Sequence, residues 1–127
     1  MMKTRMMAAA TLVAALTAGA AAAQSGVEGD WMTQGGQAKV RIAPCAGQPA
    51  QLCGRFVNLK TGALAKGDFI TGFKAAGPNR WSGGKIRNPE DGKTYKSKMA
   101  LNPNGSLSVS GCVLVVCKAQ TWTRARS

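Results

Sequence analysis

"RWSGGKIRNPEDGKTYKSKMALNPNGSLSVSGC", residues 80–112, carries the pattern that decides the fold. In "YKSKMAL" the residues Tyr95, Ser97, Met99 and Leu101 fall on one face, and Lys96, Lys98 and Ala100 on the other. In "SLSVSG" Leu107 and Val109 share a face. A period of two with basic residues on one side describes strands with one buried face. Between the runs stand "NPEDG", residues 88–92, and "NPNG", residues 102–105. An asparagine there bonds its own backbone, the proline presets φ, and the glycine accepts positive φ, so both segments read as turns. The result is a meander of three antiparallel strands. Gly92-Lys93-Thr94 is no phosphate loop: Arg87 stands where the motif needs its first glycine, and a strand follows rather than a helix. Glu90 and Asp91, adjacent on a turn, splay into solvent rather than forming an acid–base pair.

The alternation extends outward from this stretch. In "AKVRIA" Ala38, Val40 and Ile42 oppose Lys39 and Arg41. Strands are expected near 27–33, 37–44, 52–59, 68–74, 80–87, 94–101, 105–112 and 117–124, with turn signals about every ten residues, as in an all-β sandwich or barrel. Trp81 and Ile86 have opposite parity although both are expected inside. Gly83-Gly84 between them therefore reads as a bulge that resets the parity and bends the strand, as a small closed barrel requires.

The N-terminus reads differently. Lys3 and Arg5 precede an alanine-rich apolar run, Ala8 to Ala23, which ends in small residues. This is the pattern of a secretory signal peptide, expected to be cleaved after Ala23, and the run is shorter than the roughly 20 residues a membrane span needs. Residues 24–127 are then one exported domain, periplasmic or secreted. The formal charge of the whole chain is +12, which favours anionic partners such as lipid headgroups or acidic glycans; an exported location argues against nucleic acid. Cys45, Cys53, Cys112 and Cys117 are the only cysteines. Export favours oxidation, and of the three connectivities the strand reading selects Cys45–Cys53 and Cys112–Cys117. A four-thiolate zinc site competes poorly, because the spacings are wrong and the chain has no histidine.

That absence also removes the usual general base. No nucleophile–base–orienter set is visible, so a non-catalytic binding module without cofactor or metal is expected. An enzyme would require two carboxylates converging inside a cavity, Asp30 with Asp68 for example. Two local features carry a functional alternative. In "CVLVVC" the residues Val113, Leu114, Val115 and Val116 would form a disulfide-held hairpin tip. They are expected to fold inward and plug the barrel, the alternative being a docking knob. Lys39, Arg41, Lys85, Arg87, Lys96 and Lys98 form a solvated outer wall or, alternatively, a basic face for an acidic partner.

"GDW", residues 29–31, and Arg124 in "QTWTR" resemble the closure of lipocalin-like, or calycin, barrels, in which an arginine stacks on the indole of a Gly-x-Trp. More specifically, "IAPC", "LCGRFV", "RWSGGKIRNPEDGKTY" and "LNPNGSLSVSGC" in this order resemble the small exported bacterial proteins grouped as domain of unknown function 2147. The resemblance implies an all-β fold, a small eight-stranded antiparallel up-and-down barrel with the same two local disulfides, and no particular reaction. It departs at "TGALAKG", shorter here than the segment many members carry. The expected function, read from a small barrel with no catalytic set, is non-catalytic binding of a small apolar or amphipathic ligand, with Phe56, Trp81, Tyr95, Met99 and Trp122 as candidate lining residues and Trp31 with Arg124 as structural closure. The alternative is an envelope interaction protein that uses its basic wall or apolar tip.

Overall fold

The computed structural model describes residues 26–126. The expected signal segment, 1–23, lies outside the described residues. Eight strands follow one another: β1 (Gly29–Met32), β2 (Lys39–Cys45), β3 (Gln48–Val57), β4 (Ile70–Ala75), β5 (Arg80–Arg87), β6 (Thr94–Leu101), β7 (Leu107–Val113) and β8 (Val116–Arg124). Each pairs antiparallel with the next, and β8 returns to β1, closing an up-and-down barrel. One 3-10 turn, Gln34–Gly36, links β1 to β2.

The period-two pattern places Trp31, Val40, Ile42, Leu52, Ile70, Phe73, Met99, Leu107, Val109 and Trp122 in one buried cluster. Lys85, Lys96 and Lys98 point to solvent. The β5–β6 register shifts between Trp81 and Gly84, so that Trp81 opposite Met99 and Ile86 opposite Tyr95 both face inward. Gly83-Gly84 is therefore the bulge expected from the parity change. The β3 boundary differs from expectation. Ala46-Gly47 closes a two-residue hairpin with Cys45 opposite Gln48, and residues 49–51 bulge before Leu52 rejoins Pro44. Pro49 and Gly47 read as a longer loop in the sequence because an irregular pairing leaves no alternation to detect.

Cys45–Cys53 ties this bulge, and Cys112–Cys117 spans the β7–β8 hairpin. All four sulfurs are thus bonded to one another, not to a metal. The segment after β3 folds back along that strand: Leu64 bridges Val57, and Ala65 N–H donates to Phe56 O at 2.8 Å.

The two ends of the barrel are unlike. At the end where β1 begins, Val27 is fully buried beneath Trp31. At the other end β1 stops at Met32, and β8 meets it only at Thr123 and Arg124. Before Thr123, β8 runs past the end of β1 with only β7 beside it, and residues 113–121 are all exposed.

Candidate functional site: a filled barrel and an exposed hairpin

An eight-stranded barrel can hold either packed side chains or one small ligand. A side chain that walls a space large enough for water retains accessible surface towards that space. Trp122 and Met99 retain 1% and 2%, and Trp81 6%. These three expected lining residues are core. The interior is tight enough that two inward-facing positions hold no side chain: a Cβ on Gly54 would lie 2.7 Å from Ile70, and one on Gly84 2.5 Å from the Phe73 ring. Phe56 and Tyr95, the other two expected lining residues, are half-buried at the open end, as is Ile86. Phe56 packs on Phe69 with ring centroids 4.3 Å apart. The Tyr95 hydroxyl turns away to donate to Asp91 Oδ2 at 2.7 Å, which holds the tyrosine pKa up. The Asp91 carboxyl is held below its usual range, chiefly by the Lys93 backbone N–H and then by that hydroxyl.

The hairpin tip overturns its expected placement. Val113, Leu114, Val115 and Val116 do not fold inward; they are 55%, 95%, 94% and 66% exposed. The reason lies in the sheet. β8 outruns β1, so the hairpin extends past the barrel's open end with no neighbouring strand against this edge of β8, and the Cys112–Cys117 bridge ties its two arms together at the base of the tip. Leu114 turns the chain at φ +55°, a region costly for a bulky residue.

The basic wall divides into two parts. Arg41 donates from Nε and Nη2 to the two Asp30 oxygens at 2.7 and 3.0 Å, and Lys39 Nζ lies 3.7 Å from the same carboxylate. These two cations are internally paired. Lys85, Arg87, Lys96 and Lys98 are exposed, and no ion pair forms at any of them among the described residues. Lys118, which sequence reasoning passed over, belongs with them. It faces Gly111 and directly follows Cys117, so its place next to the tip was visible in "VVCK". Asp68 accepts from Arg55 Nε at 3.1 Å. Asp30 and Asp68, weighed together as an acid pair, therefore stand on the outer wall, each tied to its own arginine. Two surface depressions, about 370 and 210 Å³, lie beside these same ion pairs.

At the closed end Trp31 is fully buried and donates from Nε1 to Val27 O at 2.8 Å. The Arg124 guanidinium lies 4.1 Å from the ring centroid, with Nη1 and Nη2 each 2.8 Å from a backbone carbonyl, of Glu28 and Gly26. Gly29 completes the motif. Its φ is +122°, and a Cβ there would lie 3.0 Å from Arg124 Nη1. The glycine, the indole and the arginine thus form one unit, a cation–π stack that seals the floor. Residues 29–124, bounded by this glycine and this arginine, match the family described as "Uncharacterized protein conserved in bacteria (DUF2147)". The chain belongs to this family. No curated protein matches its sequence. Among solved structures this DUF2147 barrel is similar to "Protein HP1028 from the human pathogen Helicobacter pylori", described as belonging to the lipocalin family. The TM-score is 0.65 with 21% identity, over 80% of this chain and 84% of that one. At that identity the likeness concerns the fold, which is lipocalin-like.

The best-formed ion pair of the DUF2147 barrel offers a stability test. The hydrogen bonds from Arg41, and the charges of Arg41 and Lys39, hold the Asp30 carboxyl below its usual value of 3.8. A carboxylate whose pKa is lower folded than unfolded contributes stability that is complete above its unfolded value and is lost as pH falls through the folded one. Asp30→Asn is expected to cost about 0.5–1 kcal/mol at neutral pH, in line with a partly exposed pair. The cost should vanish in the acid range below that usual value. Urea denaturation of both proteins across this range would show the two stabilities converging; parallel curves would mean that the pair contributes nothing.

Proposed function

We propose that this protein is a non-catalytic binding protein of the cell envelope that engages its partner with the outside of its barrel, at the β7–β8 hairpin. The observation that carries this reading is the pairing of a filled interior with four exposed apolar side chains on a disulfide-braced tip. Hairpin tips are ordinarily polar, and an apolar one in water has an unfavourable hydration free energy that contact with a partner would relieve. The expected signal peptide supports an envelope location. The carboxylates argue for binding rather than catalysis, because Asp30, Asp68 and Asp91 are each engaged with a neighbouring group on the outside of the barrel.

A photo-crosslinking residue placed at position 114 tests the reading in living cells. It is expected to capture a partner, lipid or protein, while the same residue at position 98 on the outer wall captures far less. Equal yields at the two positions would reject the hairpin as the contact surface.

A second reading has one observation in its favour. Phe56 and Ile86 face inward at the open end and are half-buried, leaving an apolar rim on which a small amphipathic ligand could rest. Native mass spectrometry of the protein recovered from cells would then show a stoichiometric adduct that is lost on denaturing. A bare chain mass at native conditions favours the hairpin reading.

A further inference from the structure

We infer that the hairpin's partner is an anionic lipid surface, into which Leu114 and Val115 insert while a collar of lysines meets the headgroups. This rests on the reading of the hairpin as the contact surface and names what it contacts.

The first observation is shape. The tip is a convex knob only four residues wide, and Leu114 and Val115 are almost wholly exposed. A stable protein–protein interface buries about 800 Å² on each partner and needs a matching surface. So small a knob falls well short of that, whereas a fluid acyl layer needs no complementary shape. The disulfide across Cys112 and Cys117 holds the knob out, and stiff β-branched valines flank it.

The second is charge. The sheet register lays Lys85, Lys96 and Cys112 side by side, with Lys98 opposite Ser110 and Lys118 opposite Gly111. All four lysines are exposed, without an ion pair among the described residues. From Thr94 to Arg124 there is no acidic residue. The β5–β6 turn does bring Glu90 and Asp91 to the same end, but Arg87 and Lys93 stand beside them. Lysine stems can lie along the apolar boundary while their ammonium groups stay in the headgroup layer. The barrel does not span the bilayer in this arrangement: its apolar side chains face in and its lysines out, the reverse of a transmembrane barrel's lipid-facing band.

The test is co-sedimentation with vesicles, using oxidised protein recovered from cells, its N-terminus read by mass spectrometry so that the apolar run at residues 8–23 is accounted for. Binding is expected to vesicles of phosphatidylcholine and phosphatidylglycerol in equal parts, about tenfold or more weaker to phosphatidylcholine alone, and to fall steeply with salt. Leu114→Ser/Val115→Ser is expected to weaken binding to the anionic vesicles about tenfold or more, as is Lys96→Gln/Lys118→Gln. Each variant should keep the wild-type melting temperature and both disulfides, since every substituted side chain is exposed. Absence of binding to the anionic vesicles overturns the inference. So does binding that the tip variant leaves unchanged, because charge alone would then account for it. A dimer in sedimentation velocity that the tip variant dissolves would assign the knob to a second copy of the chain. Crosslinks from position 114 to a protein, without vesicle binding, would reject the lipid and leave the hairpin reading standing; failure of both experiments rejects both.

Discussion

Replacing Trp31 by alanine is expected to destabilise the protein by about 3–5 kcal/mol, the usual cost of emptying a buried aromatic site. Trp31 is fully buried, and three separate interactions leave with it. The core loses its contacts, the Val27 carbonyl loses its indole donor, and the Arg124 guanidinium loses the ring beneath it. A domain of this size shifts by about 4–8 °C per kcal/mol, so the melting midpoint should fall by on the order of 15 °C or more. Two substitutions at position 124 separate the contributions. Arg124→Met keeps apolar cover but loses both carbonyl hydrogen bonds. Arg124→Lys keeps the charge, yet one ammonium cannot reproduce the planar fork that reaches the carbonyls of Gly26 and Glu28. Urea denaturation is expected to rank both as milder than Trp31→Ala, with lysine above methionine. A cost under about 1 kcal/mol for Trp31→Ala would mean that the stack at the closed end contributes little to stability.

Gly84→Ala should cost about 1–3 kcal/mol, and Gly84→Val should leave little folded protein. The added methyl would lie 2.5 Å from the ring of Phe73, a fully buried side chain that has nowhere to go. The neighbouring Gly83 obeys a different constraint. Nothing lies within 4 Å of a Cβ there, but its φ is +72°, so alanine costs roughly 1–2 kcal/mol of backbone strain alone. The two costs differ in what relieves them. Shrinking Phe73 to leucine should recover part of the loss in Gly84→Ala and none of it in Gly83→Ala, a coupling that a double-mutant cycle measures. Equal coupling for both glycines would mean that the bulge, not the ring, sets the limit.

These two glycines show where the reading from sequence reached its limit. The opposite parities of Trp81 and Ile86 demanded an extra residue between them, and Gly83-Gly84 was the evident place. Alternation could not show that one glycine serves a bend and the other makes room for a ring eleven residues earlier in the chain. The same limit governed the candidate site. Trp81, Met99 and Trp122 were recognisable as inward-facing, because parity survives in a linear sequence. Whether an inward-facing residue lines a space or fills it depends on the summed volume of side chains from eight strands. Lys118 lies at the opposite end of β8 from Trp122 and Arg124, whose pattern marks the strand, so only "VVCK" places it beside the tip.

Several properties were determined by the sequence alone. Period-two alternation and repeated turn chemistry specify antiparallel strands in a sandwich or a barrel, since each is a local consequence of backbone geometry, and closure into an eight-stranded barrel is what the family resemblance adds through its ordered motifs and the Gly-x-Trp with its distant arginine. The cysteine pairing follows from the same strands, because only residues brought opposite or diagonal across a hairpin come close enough to bond. The tertiary structure alone decided which surfaces are free. "CVLVVC" is as apolar as a plug, and its placement was settled by the length of a different strand. β1 ends at Met32, β8 continues beyond it, and the hairpin is carried past the open end instead of folding into it. Exposure is a property of the whole barrel's closure, and no segment carries that information by itself.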